Sequence, residues 1–199
     1  MRNKNIIEIA YLAAFVSLMF IMAWVPFLGF IPLGFASVTI LHIPVLIAIL
    51  FLGKKIGVLV GLSFGVLSWL LAMVRPTQPL DPFFVNPIIS VLPRLLFAVF
   101  TVMIYAGIKK ILKNEVLGMI ITSVLGTLIH SILVLVLLVI IYFPEVTDQG
   151  TIRAAATLAL TTLATSSTLE AIAAAIIAPA VVKALMVVDN KYGGQLKID

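Results

Sequence analysis

The chain has no cysteine in its 199 residues. That absence excludes disulfides, thiol catalysis and Cys-ligated metals. Charge is scarce as well: Asp, Glu, Lys and Arg make up 11% of the sequence, where a soluble domain carries about a quarter. Only two histidines occur, His42 and His130, and neither has a carboxylate nearby in the sequence, so no metal-ligand spacing is present. No Walker-type glycine-lysine loop is found. Paired carboxylates and a serine–histidine pair are missing too, which leaves His130 with Glu170 as the one acid–base couple to consider. No catalytic residue, metal or cofactor is therefore expected.

What the chain has is apolar length. It is 63% hydrophobic with a mean hydropathy of +1.27, which implies an integral membrane protein rather than a soluble domain. Its length suits a single membrane domain over 1–199, of about six spans at ~20 residues each. The apolar runs place those spans at 6–25, 38–52, 56–74, 86–108, 116–142 and 151–188. The basic start MRNKN is like that of a signal peptide, but the apolar run behind it is too long for a signal core and reads as a retained first span. A net charge of +5 does not point to nucleic acid, because the basic residues sit at the ends of apolar runs. Ten of the thirteen (Arg2, Lys4, Lys54, Lys55, Lys109, Lys110, Lys113, Lys183, Lys191 and Lys197) fall on the side of the termini. The positive-inside rule then puts both termini in the cytoplasm and the 75–88 loop outside, with the plasma membrane as the expected location.

The most informative stretch is RPTQPLDPFFVNPIISVLPR, Arg75 to Arg94. Five prolines bar its first half from continuing a helix. Arg75, Gln78, Asp81, Asn86 and Arg94 make it polar, as the rim of a pocket would be. Arg94 lies inside apolar sequence, where an unpaired cation is costly. It either snorkels or pairs with a structural carboxylate, or it is a cation awaiting an anionic ligand.

Other segments divide between packing and function. Ala10, Ala13, Ala14 and Ser17 put small side chains on one face of the first span, a surface another membrane helix can approach closely. Glu8, near the basic end, reads as a solvated or paired interface charge. Pro26 to Ser37, PFLGFIPLGFAS, is too short and broken to span and suggests an ordered flap. Pro44 is expected to kink the second span, and His42 near its outer end reads as a satisfied interface histidine rather than a ligand. Gly53, Gly57, Gly61 and Gly65 form a glycine groove along the third span. Trp69 is either an aromatic-belt anchor or a pocket wall. Thr127 and Ser131 share a face of the fifth span, and His130 lies ~18 Å below its outer end. Glu170 is expected in the middle of the sixth span, with Pro179 deeper, as a functional group or as a partner of His130 or Arg94.

Together these features resemble the substrate-binding S components of energy-coupling-factor (ECF) vitamin transporters. The resemblance covers essentially the whole chain. ASVTILHIPVLIAILFLG, the glycine-rich third span, VRPTQPLDPFFVNPIISVLPRLL and EAIAAAIIAPAVVKAL look most like the pantothenate-specific members. It implies an all-α six-helix bundle that binds one vitamin near its outer face, under the flap and the third loop. It further implies a transmembrane coupling subunit and two cytoplasmic ATPase subunits as partners, with toppling in the bilayer as the transport step. Ala10 and Ala14 would touch the coupling subunit. Pantothenate has one carboxylate, one amide and two hydroxyls. Arg94 can grip the carboxylate bidentately, and Asn86 and Gln78 can serve the amide and hydroxyls, with His130 and Thr127 below. Phe30, Phe35, Phe83 or Trp69 could close the top, and Glu170 would either meet a ligand hydroxyl or hold a basic side chain.

Alternatives remain. Riboflavin or a pyrimidine-type vitamin would call for aromatic stacking more than a lone Arg, and folate would need a roomier pocket. A membrane-embedded enzyme would rest on Glu170 and His130 alone. A channel fits poorly with a flap-covered, asymmetric loop region.

Overall fold

The computed structural model describes residues 4–25, 28–32, 37–76, 81–142 and 163–191, with positions 148, 150, 153, 154, 157 and 161. Among them are six helices: α1 (Lys4–Trp24), α2 (Ile43–Leu52), α3 (Lys54–Val74), α4 (Pro87–Ile111), α5 (Glu115–Tyr142) and α6 (Thr168–Lys191). Five are long and apolar enough to cross a bilayer, all but α2. The expected flap is a two-stranded hairpin, β1 (Phe30–Pro32) antiparallel to β2 (Ser37–Thr39), with Phe30 opposite Thr39.

The second span differs from the expectation over 38–52. Its first residues belong to β2, and α2 has ten residues, about 15 Å of helix against a hydrocarbon core of about 30 Å. All ten are buried. A helix that is apolar all round needs protein on every side, and α2 has α3, α4, α5 and α6 about it. Pro44 does not kink it. It sits in the first turn, where the missing N–H would have had no helical acceptor.

Gly53 alone separates α2 from α3, at φ 87°, a backbone conformation that L side chains rarely adopt. The glycines behind it form the contact face of α3. A Cβ at Gly57 would collide with the backbone of Ile49 in α2, and one at Gly61 with Ala98 of α4. At Gly65 the collision would be with α4 backbone, at 2.9 Å from Val91 Cα and 3.0 Å from its carbonyl oxygen. The groove thus sets α3 against both neighbours. It also fixes where α4 presents Arg94.

The 75–88 loop is braced rather than free. Arg75 donates through Nη1 to the Trp24 carbonyl at the end of α1 (2.7 Å) and lies over the Trp24 ring. A 3-10 turn (Asp81–Val85) follows. Trp69 of α3 donates to Val85 O (2.9 Å), Tyr142 of α5 donates to Phe83 O (3.2 Å), and Ser90 of α4 donates to Phe84 O. At the opposite end, Glu8 pairs with Lys55, in line with a paired interface charge.

In the sixth span a π-helical turn (Leu163–Ser167) precedes α6, and Glu170 lies in the first turn of α6. Such widened turns are rare and recur at functional sites.

Two glycine substitutions separate groove packing from helix propensity. Gly65→Ala is expected to lose about 1–3 kcal/mol, because α4 backbone must shift. Gly107→Ala meets nothing within 4 Å and is expected to be neutral or to gain about 0.5–1 kcal/mol. Thermal unfolding in detergent measures both; equal shifts would mean that the groove does not set the packing.

Candidate functional site

The site begins with a proline. Pro93 inside α4 has no N–H, so the carbonyl four residues earlier, Ile89 O, loses its helical donor. Arg94 fills that vacancy with its side chain: Nη1 donates to Ile89 O at 2.9 Å. This curls the guanidinium back along α4. Its Cζ then lies 4.9 Å from the Phe84 ring centroid and 5.8 Å from that of Phe64, a cation–π arrangement that offsets part of the lost hydration. Arg94 is 7% exposed. Its Nε has no hydrogen-bond partner, and no carboxylate pairs with it directly among the described residues. Snorkelling and a structural ion pair therefore do not describe it.

His130 is the second uncommitted group. It is 6% exposed, and neither ring nitrogen has a hydrogen-bond partner among the described residues. Its ring stacks on His42 (centroids 5.7 Å apart, 18° between planes) and is flanked by Phe97 at 5.1 Å and Phe64 at 5.8 Å. Arg94 acts electrostatically on both His130 and Glu170. Ser166, in the π-helical turn, adds a third buried and unpartnered polar atom, its Oγ. Buried polar groups are nearly always paired. Arg94, His130 and Ser166 each keep a buried polar atom without a hydrogen-bond partner among the described residues.

His42, by contrast, is spoken for. Thr39 O can only accept, so the His42 Nδ1–H donates to it (2.9 Å). In a neutral imidazole Nε2 then accepts from the Thr127 hydroxyl (3.0 Å). The same hydroxyl lies 2.9 Å from Ser123 O. Thr122, Ser123 and Ser131 bond back to carbonyls four residues earlier in α5, which keeps their hydroxyls satisfied inside the bundle. The other backbone group of Thr39 is held from α6: its N–H donates to Glu170 Oε1 at 2.6 Å. Strand β2 is thereby clamped at one residue by a side chain on each side, Glu170 on α6 and His42, itself tied to α5.

The family model for the substrate-specific component of ECF transporters matches residues 4–182. The chain belongs to that family. It is also similar to the pantothenate transporter PanT of Leuconostoc mesenteroides subsp. mesenteroides, with 29% identity over 149 residues, covering 70% of this chain and 72% of that protein.

In this substrate-specific component the structure gathers Arg94, His130, Thr127 and Glu170 into one buried layer and leaves other expected residues at its margin. Asn86 caps α4, its Oδ1 accepting from Ile88 N–H (3.0 Å). Trp69 is committed to the loop carbonyl of Val85. Phe83 packs edge-on against Tyr142, whereas its neighbour Phe84 covers Arg94. Gln78 and Phe35 lie outside the described residues. Sequence reasoning missed Phe64, Phe84, Phe97 and Ser166, since nothing in their local pattern separates a site wall from ordinary packing. A usable signal was present for Arg94, because Pro93 directly before it marks the carbonyl that its side chain takes.

The clamp on Thr39 yields a test of Glu170. Glu170→Gln keeps an oxygen to accept the Thr39 N–H, so hydrogen exchange across β2 should stay near wild type. Glu170→Ala leaves that donor unpaired, and exchange there should rise by about tenfold, for a loss of about 1–2 kcal/mol. Equal exchange in both variants would remove Glu170 as the anchor of the flap.

Proposed function

We propose that this chain is the vitamin-binding component of an ECF-type importer and that its vitamin is pantothenate. The carrying observation is Arg94: a buried guanidinium, roofed by Phe84, that among the described residues has no carboxylate partner and lies near a histidine whose two nitrogens are uncommitted. In this reading the pantothenate carboxylate completes the charge of Arg94. His130 and Ser166 meet its amide and hydroxyl groups, and Phe64, Phe84 and Phe97 face its gem-dimethyl group. Glu170 would keep its hold on the flap and stay clear of the anion. The relative named for pantothenate transport supports this choice of vitamin.

The six-crossing topology belongs to the same proposal. The flap and β2 carry the chain from the outer surface to the buried α2, so the pair completes a crossing that α2 is too short to make. Both termini are then cytoplasmic. The face of α1 holding Ala10, Ala13, Ala14 and Ser17 is exposed, and only 11% of the apolar window of that helix is buried. This supports a docking role for Ala10 and Ala14 toward the transmembrane coupling subunit, with two ATPase subunits supplying the energy.

Calorimetry on the detergent-purified chain with pantothenate, riboflavin, folate and thiamine tests the assignment. Pantothenate alone should bind tightly, and Arg94→Ala should weaken it by about 2 kcal/mol or more, roughly thirtyfold. Arg94→Lys should recover only part of the loss, since an ammonium lacks the planar fork. Tight binding of another of these vitamins would retain the transporter and overturn pantothenate.

A further inference from the structure

The end of the bundle that carries the chain termini holds a second site, well away from Arg94. A cleft of about 390 Å³ opens where the last turn of α2, the first turn of α3, the last turns of α4 and the start of α5 meet. Ile49, Leu50, Phe51, Val102, Ala106 and Met186 give it apolar walls. Its polar lining is Lys54, Lys109, Tyr105 and Glu115.

The charge there is unbalanced. Glu115 pairs with Lys183 at 2.7 Å, so its carboxylate is already compensated. Lys55, next along from Lys54, pairs with Glu8. Lys54 and Lys109 have no carboxylate partner among the described residues. Lys109 is held at the cleft by lying 5.2 Å over the ring of Tyr105. Two ammonium groups therefore flank an apolar recess at the level where three helices reach the membrane surface.

We infer that this cleft binds the headgroup of an anionic phospholipid, with Lys54 and Lys109 on the phosphate and the acyl chains running along the apolar wall. The charge complementarity selects an anion. The position selects a lipid over a soluble ligand, because α3 and α4 begin and end there as apolar spans. Basic recesses between membrane helices on the cytoplasmic side are suited to anionic headgroups for the same reason. Nothing in this inference depends on which vitamin occupies the other site.

Native mass spectrometry of the full chain, titrated with phosphatidylglycerol or phosphatidylcholine in mild detergent, tests it. Phosphatidylglycerol should be retained in preference, and Lys54→Gln and Lys109→Gln should each lower that preference by about fivefold. The double variant should treat the two lipids alike. Lys110→Gln/Lys113→Gln removes the same charge from exposed positions outside the cleft and should keep the wild-type ratio. Should the paired cleft variant not fold, the two single variants carry the same comparison. An equal fall in both double variants would mean diffuse attraction and overturn the site. Equal retention of the two lipids by the wild type would overturn it as well. If inorganic phosphate alone raises the unfolding temperature as much as phosphatidylglycerol does, the cleft takes a free anion and the lipid assignment fails.

Discussion

The constraint on which the site depends is the burial of one guanidinium in an apolar bundle. Removing an unpaired cation from water is costly, and the fold offsets that cost without supplying a carboxylate. Pro93 exposes a carbonyl, Arg94 takes it, and two phenylalanine rings from α3 and the 75–88 loop cover the faces of the guanidinium. This arrangement leaves the cation charged and incompletely paired. A carboxylate on Arg94 would have satisfied it permanently. Placing Glu170 within electrostatic reach, yet bonded to a backbone amide, keeps the two apart.

Much of the remaining architecture serves to bring four elements to that point. The glycine face of α3 admits α2 and α4 at backbone contact, so Phe64 and Arg94 share a layer. The short α2 makes room above itself for the flap, and His42 at its start carries the hydrogen bonding from β2 to α5. Because Thr39 is held on both its N–H and its C=O, β2 is tied to the two helices that contribute Glu170 and Thr127. The 75–88 loop is bonded to α1, α3, α4 and α5, so the roof over Arg94 is set by the bundle rather than by the loop's own sequence.

Long, strongly apolar segments were legible in the sequence. The first, third, fourth and fifth apolar runs form the helices α1, α3, α4 and α5, each long and apolar enough to cross a bilayer. The bundle leaves such helices no alternative in lipid, where backbone groups must be satisfied within the segment. The second apolar run was less legible. A run such as VTILHIPVLIAILFL has the same composition whether it is strand, turn or helix, and Pro44 reads as a kink unless the helix is known to start beside it. The widened turn at 163–167 has no local signature among so many Ala, Ser and Thr residues.

The sequence by itself therefore determined that the chain is a membrane protein, which residues could bear a buried charge, and where a glycine face would pack. Those properties follow from composition and short-range spacing, which persist whatever the tertiary arrangement. Only the tertiary structure decided which polar groups are spent and which are left over. His42 and His130 stand alike in the sequence, yet one is saturated by Thr39 and Thr127 while neither nitrogen of the other has a partner among the described residues. One of those two partners, Thr127, lies 85 residues from His42 in the chain, and no local pattern encodes a contact at that range.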